Sequence, residues 1–297
     1  MKPWNAFVVA LAAPVFLWIP ALAGPVQDPA PQPKPAPQSP PSPQSPPSTG
    51  KPADPVKQRL ENSPRHHEWV ELKREGRTLT CFVAYPEKKE KALAVLVIHE
   101  NKGLNDWARA VSDELAEAGY LAIAPDLLSG AGPEGGRTDS FASTDAATQA
   151  LYKLAPEQVS ADLNAAADYA TKLESCNAKL AVVGFCWGGA QSFTFATARK
   201  GLKAALVFYG NAPKDEAAFA KIDCPVFGFY GENDARITAT VPTTAEAMKK
   251  YGKTFEPVTY AGAGHGFFRA GGTPDASEAN QKARADAWVR VKKLLGD

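Results

Sequence analysis

The run Leu93-Ala94-Val95-Leu96-Val97-Ile98-His99 is the strongest constraint on what this chain can fold into. It is nearly unbroken in apolar residues, yet far short of the ~20 needed to span a membrane. It also lacks the polar–apolar alternation of a strand with one wet face. Such a run reads as a strand buried on both sides, which requires helices above and below the sheet. The flanking chain supplies them. Strands are predicted over 67–73, 78–85, 121–125, 180–185, 204–209, 226–230 and 255–260. Helices are predicted over 106–118, 156–173, 188–199, 242–251 and 277–295, with a glycine-rich loop over 129–136. In the first of these helices Trp107, Val111 and Leu115 share one stripe, and Gly119 follows its end. Strands alternating with helices predict an α/β class fold with a mostly parallel, twisted sheet covered on both faces. Chemistry in such sheets sits beyond the carboxyl ends of the strands.

The first ~55 residues differ in kind from this domain. Lys2, an apolar run from Phe7 to Ile19 and the small-x-small sequence Ala21-Leu22-Ala23 read as an export signal over residues 1–23. An uncleaved anchor is the alternative. Residues 24–56 are dominated by Pro, Gln, Ser and Ala, with too few apolar side chains to offset the entropy of folding. They read as a disordered linker, either a spacer that holds the domain off an envelope surface or a tolerated tail. The expected location is therefore periplasmic or secreted. Residues 57–297 form the expected catalytic domain, long enough to bury a core without disulfides or metals.

The 33 basic and 32 acidic residues leave a net charge of +1, which gives no reason to invoke nucleic acid as a partner. An envelope surface reached through the linker is the one macromolecular partner suggested, and a monomer is expected. The four cysteines, Cys81, Cys176, Cys186 and Cys224, are too sparse for a disulfide scaffold. Three of them read as small apolar fillers, or two as partners in a single bridge. Cys186 is set apart by its surroundings.

It lies in Gly184-Phe185-Cys186-Trp187-Gly188-Gly189, after an apolar strand and before a helix. This is the pattern of a nucleophile elbow, with Cys in the place more often held by Ser. The sharp turn needs small residues two before and two after the nucleophile, and it aims the helix N-terminus at the sulfur, favouring thiolate. Of the four histidines, His265 follows the last predicted strand in Gly264-His265-Gly266-Phe267, where flanking glycines suit a mobile loop. It is the expected base. His66 and His67 precede the core and read as surface residues. Asp234 follows the strand over 226–230 and is the expected orienting acid, with Glu232 as its competitor. The order Cys186, Asp234, His265 is the nucleophile–acid–histidine order of the α/β-hydrolase fold. The oxyanion hole is expected from the backbone N–H groups of Trp187 and Asn101.

The elbow, the Gly-His-Gly-Phe segment and the loop His99-Glu100-Asn101-Lys102-Gly103 together resemble the dienelactone hydrolase family over roughly residue 92 to the C-terminus. The resemblance implies hydrolysis of a small carboxylic ester or lactone, of the carboxymethylenebutenolidase kind, with no cofactor and no metal. It further implies that Glu100 contacts and helps to deprotonate the thiol. Arg269, four residues after His265, would pair with Glu100 or with a substrate carboxylate. Tyr152 and Tyr209 are expected to wall the pocket along with Trp187. One departure matters. The family's second arginine falls at Thr148, ahead of Tyr152-Lys153-Leu154, which weakens the expected anion site and puts dienelactone itself in doubt as substrate. Two readings of other classes compete: a non-catalytic envelope-binding module that retains the fold, and a redox thiol protein. The second lacks a Cys-x-x-Cys or any nearby resolving cysteine.

Overall fold

The computed structural model describes residues 54–74 and 76–296, so the export signal and nearly all of the proline-rich linker lie outside the described residues. The chain runs α1 (Pro55–Asn62), β1 (His67–Arg74), β2 (Arg77–Ala84), β3 (Ala92–Ile98), α2 (Asp106–Glu117), β4 (Leu121–Pro125), α3 (Thr144–Leu151) and α4 (Pro156–Lys172). It continues through β5 (Cys176–Phe185), α5 (Trp187–Ala198), β6 (Leu202–Phe208), β7 (Val226–Gly231), α6 (Ala235–Thr238), α7 (Val241–Lys250), β8 (Phe255–Tyr260), α8 (Phe267–Ala270) and α9 (Glu278–Leu295). Eight strands form one sheet in the order β1-β2-β4-β3-β5-β6-β7-β8. The pairs β1–β2 and β2–β4 are antiparallel, and every pair from β4 to β8 is parallel. The mostly parallel α/β-hydrolase fold expected from the sequence is therefore the one observed.

β3 lies at the centre of the sheet and all seven of its residues are buried, as its apolar run requires. Alternate residues feed two cores. Leu96 and Ile98 pack with Val159 and Leu163 of α4, Phe193 of α5 and Met248 of α7. Val95 and Val97 pack with Val111 and Leu115 of α2 and Ala287 and Val291 of α9 on the other face. Burying a Leu or Val side chain is worth ~1.5–3 kcal/mol, so the two layers fix the strand ends that carry the site. Among the described residues no helix is long and apolar enough to cross a membrane.

Two expectations are corrected here. Helix α1 starts at Pro55, inside the residues assigned to the linker. Asp54 caps it by accepting from the Val56 N–H, and proline at the first helical position is pre-set for the turn. His67 is not a surface residue. Its Nε2 lies 2.8 Å from Asp113, a fully buried carboxylate of α2. Ser63 also donates to Asp113, Arg65 donates to both of its oxygens, and Arg59 pairs with it. This cluster ties α1 and β1 to the body of the domain.

Candidate active site

Four strand ends deliver the candidate residues. Glu100 follows β3, Cys186 follows β5, Asp234 follows β7, and His265 stands in the loop after β8. All four sit at the carboxyl edge of the parallel part of the sheet, where the sequence placed them.

Cys186 is the single residue between β5 and α5, and its backbone is at φ 55°, ψ −114°. A non-glycine residue there is strained by ~1–3 kcal/mol and persists only where its surroundings over-determine it. Its N–H donates to the Phe208 carbonyl at 3.0 Å, and its carbonyl accepts from Ala190 at 3.2 Å. The strand and helix cross so closely that a Cβ on Gly184 would fall 1.9 Å from the Gly188 carbonyl oxygen. A Cβ on Gly188 would fall 2.3 Å from that of His99. These contacts are the physical reason for the two elbow glycines.

The sulfur is partly exposed and lies 3.2 Å from His265 Nε2. On the far side of the ring, Nδ1 lies 2.5 Å from Oδ2 of Asp234, whose residue is only 6 % exposed. The hydrogen bond with Cys186 pushes the imidazole up to about 9, against the opposing effect of burial and with help from Asp234. The ring is thus set to keep a proton that it takes from the thiol. The other cysteines contrast sharply. Cys81, Cys176 and Cys224 are buried and free, so no bridge joins any two of them. Burial pushes the Cys81 thiol up strongly and that of Cys224 up to about 11.

Of the two acids after β7, Asp234 meets the histidine and Glu232 does not. Glu232 instead accepts from the Gly262 N–H at 2.7 Å. Asn233 donates to the carbonyls of Gly262 and Ala263, and Asn280 of α9 accepts from Gly264. Gly231 lets the two segments close on each other, since a Cβ there would fall 2.6 Å from the Ala263 carbonyl oxygen. The His265 loop, expected to be mobile, is pinned to β7 and α9 ahead of the histidine.

Glu100 is 4 % exposed and its carboxylate is held from two sides. Arg269 Nε donates to Oε2 at 2.8 Å and the Tyr209 hydroxyl to Oε1 at 3.2 Å. The expected Glu100–Arg269 pair is therefore formed, whereas no hydrogen bond joins Glu100 to Cys186. Tyr209 is not a solvent-facing wall. It is buried, with its ring edge-on to His265 at 5.1 Å between centroids, and it supports the site from behind. Tyr152 caps the end of α3 and is 61 % exposed. Thr148 lies on α3, half-buried. Trp187 opens α5, so its N–H has no acceptor within the helix. The Asn101 N–H is engaged by no group among the described residues.

Three supports escaped the sequence reading: the Tyr209 hydroxyl, Asn280, and Thr138 with Asp126. Thr138 Oγ1 accepts from the Leu104 N–H and donates to buried Asp126, bracing the loop after β3. Tyr209 and Asn280 sit inside regular elements or at their ends, where no local pattern marks a partner distant in sequence. Thr138 and Asp126 had one available signal, a polar pair flanking a glycine-rich loop at a strand's carboxyl end.

Comparison with known proteins places this fold. The sequence model of the dienelactone hydrolase family matches residues 79–297. A provisionally named carboxymethylenebutenolidase of Saccharolobus solfataricus is 32 % identical over 74 % of this chain and 95 % of its own length. One of Escherichia coli K12 is 31 % identical over 73 % of this chain and 82 % of its own. Among solved structures, a provisionally named dienelactone hydrolase of Klebsiella pneumoniae superposes with a TM-score of 0.68 at 27 % identity, covering 78 % of this chain and 98 % of that one.

Proposed function

The chain belongs to the dienelactone hydrolase family, whose members cleave carboxylic ester or lactone bonds, and on that premise we propose that it hydrolyses a small ester or lactone through a thioester on Cys186. The observation that carries this reading is the unbroken line Asp234–His265–Cys186 at 2.5 and 3.2 Å. His265 Nε2 takes the thiol proton, and the sulfur attacks the substrate carbonyl carbon. The developing oxyanion is met by the N–H groups of Trp187 and Asn101. The tetrahedral intermediate collapses, the C–O bond breaks, and Nε2–H passes its proton to the departing alkoxide. A water then gives a proton to Nε2 and attacks the thioester carbonyl carbon. Collapse releases the acid, and the proton returns to sulfur. Asp234 keeps the Nδ1–H tautomer and offsets the imidazolium charge throughout.

Arg269 and Glu100 form the expected anion-responsive pair. A substrate carboxylate competes for Arg269, and the freed Glu100 can then help to draw the thiol proton, which passes to His265 Nε2. Thr148 adds no second cation, which weakens the anion site and supports neutral esters over dienelactone. The leader and proline-rich linker support an exported enzyme acting in the periplasm or outside the cell, with the linker as spacer. The mass of the mature chain, expected to begin near Gly24, tests that part. The catalytic reading is tested by turnover of p-nitrophenyl acetate and a five-membered lactone. Wild type should be active and folded Cys186→Ala inactive; comparable turnover by both would refute it.

A further inference from the structure

His99 is the one fully buried histidine of the domain, and the catalytic cycle proposed above leaves it no role. It is the first residue after β3, beside the two peptide groups expected to bind the oxyanion. Its Nδ1 lies 2.7 Å from the Glu100 carbonyl oxygen. A carbonyl can only accept, so Nδ1 carries the hydrogen and donates it. Burial pushes this imidazole down, which keeps it neutral, and Nε2 is left without a hydrogen-bond partner. An apolar residue would avoid that orphaned nitrogen, so the position has a use for Nδ1–H.

The peptide that joins Glu100 to Asn101 is trans, as all peptides of the described residues are. Its C=O and N–H lie in one plane and point opposite ways. Holding the Glu100 carbonyl toward the buried imidazole therefore turns the Asn101 N–H away from it, and that N–H is unengaged. The same imidazole stacks on the Trp187 ring, with centroids 6.0 Å apart and planes 14° apart. The His99 backbone carbonyl also lies against Gly188 of the elbow. Both expected oxyanion donors thus border one side chain. The rest of the loop is held elsewhere, by Thr138 at Leu104 and by Arg269 and Tyr209 at the Glu100 carboxylate. Among the described residues only His99 holds this peptide.

We propose that His99 is a positioning residue of the oxyanion hole, whose Nδ1–H fixes the Glu100–Asn101 peptide with the Asn101 N–H facing the reacting carbonyl. The proposal rests on the thioester reading, because it assigns the peptide to that reaction's oxyanion. Without the Nδ1–H the peptide is free to rotate and turn its carbonyl toward the developing negative charge.

The experiment compares His99→Phe, which keeps an aromatic ring against Trp187, with His99→Asn, whose amide nitrogen can stand in for Nδ1. Each is confirmed as folded by circular dichroism. Loss of one oxyanion donor costs ~10²–10³ in kcat, so His99→Phe should lose ~10²-fold in kcat with little change in KM. His99→Asn should recover most of that. Affinity for a trifluoromethyl ketone, which forms a tetrahedral oxyanion on the sulfur, should fall in step with kcat. Alkylation of Cys186 by iodoacetamide, which forms no oxyanion, should stay near the wild-type rate. A folded His99→Phe with kcat within threefold of wild type overturns the proposal. So does alkylation that falls in parallel with kcat. A failure of the thioester reading would appear separately, as wild-type turnover that survives Cys186→Ala.

Discussion

Replacing Asp234 with Asn exchanges one carboxylate oxygen for an NH2 group and tests the orienting role. Asp234 is nearly excluded from water and accepts from His265 Nδ1–H at 2.5 Å. An amide has no charge to offset the imidazolium, and with its NH2 toward the ring it favours the tautomer with Nδ1 unprotonated. Nε2 then carries the hydrogen and cannot take one from sulfur. Loss of the corresponding carboxylate in a catalytic triad costs ~10⁴ in kcat. We expect a loss of about 10³–10⁴ here, or roughly 4–5.5 kcal/mol at 1.36 kcal/mol per decade. The pH dependence should also move. In wild type, activity needs the proton on His265 for the leaving group, so its alkaline limb should lie near 9. Without Asp234 the imidazolium loses one of its two stabilising partners, and the limb should fall by about one pH unit. The assay is a pair of kcat/KM profiles from pH 5 to 10 with an alkyl ester, whose alkoxide leaving group needs the proton, at matched secondary structure by circular dichroism. A variant within fivefold of wild type and an unmoved alkaline limb would refute the orienting role.

Arg269→Gln should impair carboxylate-bearing esters ~10- to 100-fold more than neutral esters of similar size, because a charged hydrogen bond is worth about 1.5–3 kcal/mol; equal loss on both would make Arg269 a purely structural partner of Glu100. Asp113→Asn should destabilise the domain by about 3 kcal/mol in urea unfolding, since it strips a buried carboxylate from Arg59 and Arg65. Burial alone would raise the Asp113 carboxyl, but Arg65, Ser63 and His67 overrule it and hold it below its usual range. Its contribution is therefore present above the unfolded value of ~4 and lost as pH falls below it, so wild-type stability should drop in acid more than that of Asp113→Asn. Gly188→Ala should yield little folded protein or a deformed elbow, because its Cβ would press on the backbone of His99 and Ile98 at 2.3 and 2.4 Å; wild-type stability and turnover would contradict the close crossing.

The central sheet was legible because β3 and β7 carry their burial in their own composition. β8 runs from Phe255 to Tyr260, as the sequence predicts. β5 begins four residues earlier than predicted, at Cys176, because Asn177, Ala178 and Lys179 are exposed and carry no apolar signal. Helix α3 carries too weak a signal to be predicted, being alanine-rich with little apolar stripe, although Ser143 caps it by accepting from Ala146. The three candidate triad residues could be singled out because each stands at a strand end among glycines that only a tight crossing needs. Tyr209, Asn280 and the Asp113 cluster were not. Their partners are distant in sequence, and a tyrosine ending an apolar strand looks like core until its hydroxyl is seen on Glu100.

The most direct test is a mass measurement. The enzyme is mixed with a slowly turned-over activated ester, quenched in acid within one turnover, and digested. The account predicts an acyl adduct on the peptide containing Cys186, absent from Cys186→Ala and accumulating in Asp234→Asn if deacylation slows more than acylation. Turnover with no adduct on Cys186, or an adduct on any other residue that forms at the turnover rate, would contradict it.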